Sequence, residues 1–197
     1  MRIAPWLIPH ASARPATRKR WPDGVGTADS PREPFFAKAL EQGAPEWIDR
    51  APIDHSTGAK LYPLIDDAAT LAWLAQGAAL ELQAPQWRFG PDGRPAHPDR
   101  LVLDLDPGPD VTLADCARVA RWCREILAGM GLEPFPVTSG SKGIHLYAAL
   151  PGGDAGPSSD DAAALARELA RAISDRFDVD EGEALALLRT FLESEHR

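Results

Sequence analysis

The chain has 197 residues and a mass of 21.3 kDa, which is enough to bury a hydrophobic core, and its hydrophobic content of 44% excludes wholesale disorder. No apolar run approaches the roughly 20 residues of a membrane span, and the first residues lack the pattern of a signal peptide. We therefore expect a soluble, cytoplasmic protein that has no membrane partner. The net charge of −8 is uneven, since residues 1–50 carry eight basic and six acidic side chains, whereas residues 151–197 carry five and eleven. Local charge decides where a phosphate backbone can lie, so the acidic total does not exclude a nucleic-acid partner.

The apolar spacing predicts interspersed helices and strands. The predicted elements are, in chain order, a helix over 67–82, a strand over 101–106, a helix over 112–130, strands over 134–138 and 143–149, and helices over 159–175 and 181–194. Segments rich in Pro, Gly and Asp predict loops at 22–34 and 90–99 and a linker at 151–159. This order predicts the α/β or α+β class, with a mixed sheet flanked by helices, and it leaves parallel and antiparallel pairing open.

The predicted helix over 112–130 carries both cysteines. Cys116 and Cys123 are seven residues apart, so they point the same way and lie roughly 10 Å apart along the helix. This distance is too long for a disulfide, so we expect two buried free thiols. Thr112 and Asp115 have the spacing of a capping box at the start of the helix.

Two carboxylates end the predicted strand over 101–106. Asp104 and Asp106 are two residues apart, so on a strand they point to the same face. Adjacent carboxylates repel each other unless a cation lies between them, and hard divalent ions prefer oxygen ligands. Pairs of such ions catalyse in-line attack at phosphorus in polymerases. The sequence therefore predicts a metal site, with an ordinary Asp-Pro-Gly turn as the alternative.

A loop of small residues joins the two strands that follow. Ser139, Ser141, Lys142 and Gly143 supply hydroxyls, a positive charge and backbone N–H groups, and His145 follows on the emerging strand. These are the groups that cradle a triphosphate, although the loop does not match the Walker A pattern. The alternatives are an ordinary glycine-rich hairpin turn and a buried, hydrogen-bonded histidine.

Basic and aromatic residues alternate near the start of the chain. A basic cluster is followed by aromatic side chains, and its members are Arg14, Arg18, Lys19, Arg20, Trp21, Phe35 and Phe36. Such interleaving suits a track for DNA phosphates with stacking of bases. The alternatives are a solvated charged surface for the basic residues and a hydrophobic core for the aromatic ones.

Together these motifs closely resemble one family, the polymerase domain of bacterial ATP-dependent DNA ligase D and its stand-alone relatives in the archaeo-eukaryotic primase superfamily. The resemblance covers roughly residues 2–175, and its most specific motifs are residues 104–108 and 139–145. It implies a primase-like fold and a DNA-dependent nucleotidyltransferase that acts by two-metal phosphoryl transfer, with Mn²⁺ or Mg²⁺, in non-homologous end-joining. The implied partners are DNA ends or gapped DNA, nucleoside triphosphates, and the end-binding and ligase proteins of that pathway. The implied location is the cytoplasm, at the nucleoid when DNA is bound.

The resemblance also implies roles for single residues. Asp104 and Asp106 would hold the catalytic metals, and the triphosphate would bind Ser139, Lys142 and His145. On the DNA face, Phe35 and Phe36 would stack at the template strand near Lys19, with Arg20 as a further DNA contact from the charge pattern.

Three features of the family pattern have no match in these 197 residues. A lysine-bearing segment that grips a 5′-phosphate would precede Met1, and Gln83 stands where a histidine is usual. The family's third metal-binding aspartate lies on a later strand, which nothing after residue 175 matches. We therefore expect a primase/polymerase-like domain over 1–175 that is incomplete at both ends, followed by a divergent acidic helical tail over 176–197, with weak or absent polymerase activity.

Two other functions compete with this interpretation. The first is a non-catalytic fragment or subunit that binds nucleotides or DNA ends. The second is a phosphatase of the haloacid-dehalogenase type, which also uses Asp-x-Asp after a strand. The Pro107-Gly108-Pro109 turn and the loop at 139–143 disfavour the phosphatase.

Overall fold

A computed structural model describes residues 2–107, 112–140 and 142–177. The chain divides into two compact units, Met1–Pro95 and Ala96–Arg197, and each unit has its own hydrophobic core. No helix in these described ranges is both long enough and apolar enough to cross a bilayer.

The first unit contains two helices and short strands. In chain order its described elements are α1 (Ala4–Ala11), β1 (Thr17–Arg20), β2 (Gly26–Thr27), β3 (Ser30–Pro31), β4 (Phe35–Ala37), β5 (Arg50–Ile53), β6 (Lys60–Pro63), α2 (Ala68–Gln76) and β7 (Ala79–Gln83). Strand β1 lies between β4 and β7 and pairs antiparallel with both. The predicted loop over 22–34 contains the small β2–β3 hairpin.

The helix predicted over 67–82 is wrong in its second half. Helix α2 begins after Asp67, whose side chain accepts a hydrogen bond from the Thr70 N–H, and it ends at Gln76. Ala78 has a φ of +58°, which a helix does not allow, and the chain then turns into β7. Leu82 therefore lies opposite Arg18 in the sheet. Helical spacing in the sequence could not reveal this, because pairing with a distant strand overrides local propensity.

The second unit carries a sheet with helices packed on one face. Its described elements are β8 (Arg100–Leu105), α3 (Leu113–Gly129), β9 (Pro134–Thr138), β10 (Ile144–Ala149), a 3₁₀ turn (Gly153–Ala155) and α4 (Ser159–Phe177). The strands lie in the order β8-β10-β9, and both pairings are antiparallel. The segment predicted as a linker, residues 151–159, lies inside this unit.

The helix and strands predicted over 101–149 are confirmed. Helix α3 begins with the predicted capping box, in which Thr112 and Asp115 each accept a hydrogen bond from the other's backbone N–H. Its apolar face, with Cys116 and Cys123, packs in the core formed by β8, β10 and α4. Both thiols are free and buried, as expected.

The fold class is confirmed as a mixture of helices and sheets, and within the described residues every strand pairing is antiparallel. Helix α4 matches the helix predicted over 159–175 and continues to Phe177. The helix predicted over 181–194 and most of the tail over 176–197 lie outside the described residues. The division into a domain and a tail therefore stays a prediction.

Candidate active site

The predicted carboxylate pair lies at the end of a buried strand. Five residues of β8, from Leu101 to Leu105, are buried, and alternate leucines of the strand belong to the core. Alternation therefore turns Asp104 to the opposite face. Strand β8 ends at Leu105, so Asp106 stands just beyond it and is half-buried. Strand β8 thus carries one carboxylate, Asp104, near its end, and the second, Asp106, directly follows the strand.

Asp104 and His145 face each other across two paired strands. They are register partners in the β8–β10 ladder, and the distance from His145 Nε2 to Asp104 Oδ1 is 3.3 Å. Asp104 is only 8% exposed, and its Oδ1 atom is buried without a hydrogen bond from any described residue. A buried carboxylate oxygen normally has a hydrogen bond or a cation as its partner.

The loop after β9 is closed by its own hydrogen bonds. The Ser139 N–H donates to the Gly143 carbonyl at 3.0 Å, and the Gly143 N–H donates to Ser139 Oγ at 3.0 Å. Because these two backbone N–H groups already donate within the loop, fewer backbone donors remain for a phosphate than the sequence predicts. The exposed Lys142 donates from Nζ to the Pro107 carbonyl at 3.2 Å, which places its ammonium group beside the exit of β8. Ser141 lies outside the described residues.

Gly143 packs directly against Asp106 and the end of β8. A Cβ atom at this position would lie 2.3 Å from Asp106 Oδ1 and 2.6 Å from the Leu105 carbonyl oxygen. Only glycine therefore allows the loop to approach the end of β8 so closely. The Asp106 carboxylate also acts on the start of α3, because burial, followed by the negative charges of Asp106 and Asp115, raises the pKa of the Cys116 thiol.

These residues fit a divalent cation. Asp104 and Asp106 offer carboxylate oxygens, which are the ligands that Mg²⁺ and Mn²⁺ prefer, and the buried Oδ1 atom of Asp104 has His145 Nε2 at 3.3 Å but accepts no hydrogen bond from a described residue. Within the described ranges, no group of three or more His, Cys, Asp or Glu side chains is placed to hold an ion. The described part of the site therefore supplies a pair of carboxylates.

In the first unit, the basic cluster is largely internal. Arg14 and Arg18 are only 1% and 2% exposed, so neither belongs to a solvated surface. Arg18 Nη1 donates to Glu41 Oε2 at 2.7 Å, and Arg20 Nη1 donates to Glu41 Oε1 at 2.5 Å. Arg20 also donates from Nε to the Gly77 carbonyl. The single negative charge of Glu41 thus offsets part of the positive charge that the sequence assigns to DNA.

The predicted aromatic residues are exposed. Phe35 is 60% exposed and Phe36 is 51% exposed, so the hydrophobic-core alternative is wrong for both. Lys19 pairs with Phe36 across β1 and β4, and its Nζ atom lies 5.7 Å from the centre of the Phe36 ring. The same ammonium group forms an ion pair with Glu81 at 3.0 Å.

A groove of about 330 Å³ runs beside these rings, and Phe35, Phe36, Arg20, Lys38, Glu41 and Lys60 line it together with two alanines. Lys60 is a member that sequence reasoning missed. It reaches the groove from strand β6, and no local pattern around residue 60 indicates that position. Lys38 follows Phe36 by two positions, so its closeness in the sequence to the two phenylalanines could have indicated it.

Comparison with known proteins decides the family. The family model described as "LigD, primase-polymerase domain" matches residues 1–191. The chain belongs to the LigD primase-polymerase family. The multifunctional non-homologous end joining DNA repair protein LigD of Mycobacterium tuberculosis is 49% identical over 174 residues, which are 86% of this chain and 22% of that protein. The LigD protein of Mycolicibacterium smegmatis is 45% identical over 170 residues, 86% of this chain and 21% of that protein.

A solved structure shares the fold of this LigD-family chain. The polymerase domain of Mycobacterium tuberculosis Ligase D, in complex with DNA, is 48% identical and superposes with a TM-score of 0.80 over 89% of this chain and 60% of that one. The chain spans about a fifth of the length of the curated LigD relatives it matches. The family resemblance inferred from the sequence motifs is confirmed, and the dehalogenase-type phosphatase has no support among these relatives.

Proposed function

We propose that the chain is a DNA-dependent nucleotidyltransferase that adds nucleotides to DNA ends or at gaps, in end-joining repair of double-strand breaks. The observation that carries the proposal is the convergence of Asp104, Asp106 and the loop at 139–143 at one end of the sheet in a LigD-family chain. Carboxylates for a cation and basic groups for a triphosphate are the two requirements of phosphoryl transfer, because positioning and charge stabilisation supply nearly all of its catalysis.

Asp104 and Asp106 are proposed as the residues that hold Mn²⁺ or Mg²⁺. When bound, the ion would neutralise charge on the reacting phosphate and on the attacking oxygen. The register of β8 and β10 places Asp104 directly opposite His145, beside the proposed nucleotide phosphates. Gly143 lets the loop approach Asp106, which supports a site where phosphate and cation are close together.

The phosphates are proposed to bind Ser139, Ser141, Lys142 and His145. The Lys142 ammonium group reaches the exit of β8, where its positive charge would offset a phosphate oxygen. His145 would donate a hydrogen bond beside it while Asp104 orients the imidazole ring.

The first unit is proposed to contact DNA through its exposed aromatic residues. Phe35 and Phe36 offer ring faces on which unpaired bases can stack, and the basic side chains of the groove can bind backbone phosphates. The related solved structure is a complex with DNA, which supports DNA as the partner. Lys19 and Arg20 are weaker candidates than the sequence indicates, because Lys19 already pairs with Glu81, and Arg20 pairs with Glu41, which it shares with Arg18.

The test is primer extension on a gapped duplex, with the purified chain, Mn²⁺, and ribonucleotides or deoxyribonucleotides. Asp104→Asn should abolish extension, because the amide keeps the shape of the side chain but removes the charge that holds a cation. Asp115→Asn is the matched control, since Asp115 is an acidic residue of the same unit that caps α3. Extension that is equally strong in the wild type and in Asp104→Asn would refute the assigned site.

The same assay distinguishes a nucleotidyltransferase from the non-catalytic alternative. A folded wild-type chain that binds gapped DNA or nucleotide but extends no primer would identify a binding module. The described part of the site supplies only a pair of carboxylates, and this observation favours a binding module as the second candidate function.

A further inference from the structure

The sheet of the second unit has two faces of different character. Leu146 and Ala148 of β10 belong to the core that α3 and α4 cover. Alternation along the strand therefore places His145 and Tyr147 on the opposite face, which is the face of Asp104. This second face continues from the carboxylate site toward the edge strand β9.

Two apolar side chains lie exposed on that same face. Val137 is the register partner of His145, and Phe135 is the register partner of Tyr147, so both share the face of the candidate site. Phe135 is 57% exposed and Val137 is 50% exposed. Exposed apolar groups that border a polar site are a common feature of ligand pockets, where they contact the apolar part of the ligand.

We propose that Phe135 and Val137 form a platform for the sugar and base of the incoming nucleoside triphosphate. This inference rests on the proposed function, because the phosphates must first bind the loop at 139–143. Strand rise places position 137 about 7 Å, and position 135 about 13 Å, from Ser139 along β9. That span is comparable with the length of an extended nucleotide whose phosphates lie at the loop.

The neighbouring side chains favour a planar group as the occupant. The rings of His145 and Tyr147 lie 6.1 Å apart, and the Arg100 guanidinium lies 6.0 Å from the Tyr147 ring. The face beside Phe135 is thus built from ring and guanidinium planes, which stack on bases. Because every base has a ring face, such a platform would bind all four nucleotides with similar affinity.

The experiment measures two probes with the 197-residue chain and Mn²⁺ in the absence of DNA, by isothermal titration calorimetry. ATP carries phosphates and a nucleoside, whereas inorganic tripolyphosphate carries the phosphates alone. Phe135→Ser should weaken ATP binding about tenfold, the usual size of a lost base–aromatic contact, and leave tripolyphosphate binding unchanged. Phe135→Tyr keeps the ring and should bind ATP like the wild type.

Met130→Ser is the matched control, because Met130 is 54% exposed and lies at the end of α3, outside the proposed platform. It should leave both affinities unchanged. Unchanged ATP affinity in Phe135→Ser would overturn the inference, and weaker binding of a gapped duplex in that variant would then assign the platform to the primer strand. An equal loss for both probes would also overturn it, since the phosphate loop would be disturbed. A wild-type chain that binds neither probe would refute the proposed function itself.

Discussion

Replacing Gly143 by alanine is the sharpest test of the contact between the loop and the carboxylate pair. The added Cβ atom would lie 2.3 Å from Asp106 Oδ1 and 2.6 Å from the Leu105 carbonyl oxygen, whereas ordinary contacts begin at 3.4 Å. The loop and the end of β8 must therefore separate by roughly 1 Å, and misplacement of that size in a reactive site can cost about 100-fold in rate. The Leu105 oxygen is part of the backbone, so rotation of a side chain cannot relieve the clash.

The expected loss of stability is moderate. Overpacking of this kind lowers the free energy of unfolding by about 1–3 kcal/mol, which urea denaturation followed by tryptophan fluorescence can measure. Nucleotide affinity should fall at least tenfold in calorimetry, because a shift of roughly 1 Å would misplace Lys142 and its loop relative to Asp106.

Gly129→Ala is the matched control. Gly129 is the last residue of α3, and nothing lies within 4 Å of a Cβ atom there. This variant should be as stable as the wild type or up to about 1 kcal/mol more stable, because alanine favours a helix. If Gly143→Ala matched the wild type in stability and in nucleotide affinity, the close packing of loop and strand would be refuted.

Three further predictions concern the scaffold. Burial would raise the pKa of Glu41, but the hydrogen bond and charge of Arg18 outweigh it and lower that pKa below 4.5. The stabilisation from Glu41 is therefore present above about pH 4.5 and lost as pH falls through the lower folded pKa. Glu41→Gln should lower the free energy of unfolding by about 1–3 kcal/mol at pH 7, since solvent screens the part-exposed carboxylate, and urea titrations should show the difference shrinking as the pH falls below about 4.5. Thr112→Ala should cost about 1 kcal/mol in the same assay by removing the acceptor for the Asp115 N–H, whereas an unchanged midpoint would contradict the cap. Burial raises the pKa of Cys123 to about 12, so iodoacetamide should label it only after unfolding, and rapid labelling of the native chain would contradict its burial.

The second unit was predictable because its signals are local. Capping by Thr112, the helical spacing of the two cysteines, and alternation along the strands all act within a few residues, and the structure bears out each of them. Asp104 and Asp106 could be placed on a strand end for the same reason. Their assignment as metal ligands stays a prediction that the Asp104→Asn experiment tests.

The first unit was less predictable because its charges depend on distant partners. Arg18 and Arg20 read as a basic surface in the sequence, yet both bind the same carboxylate, Glu41, which is more than twenty residues away. Burial of Arg18 follows from its central strand in the sheet and not from its neighbours in the chain. The exposure of Phe35 and Phe36 has the same origin, since only the tertiary fold decides whether an edge strand is covered, and these two positions are left uncovered.

The sequence by itself determined the family and the chemical groups of the candidate site, because the motifs at 104–108 and 139–145 are continuous and each forms within one turn or hairpin. The tertiary structure decided which of these groups meet. Pairing of β8 with β10 opposes Asp104 and His145, and pairing of β9 with β10 adds Phe135 and Val137 to the same face. Strand register brings together residues that are far apart in the chain, and no local spacing in the sequence encodes it. The register is set by the burial of one whole face of the sheet.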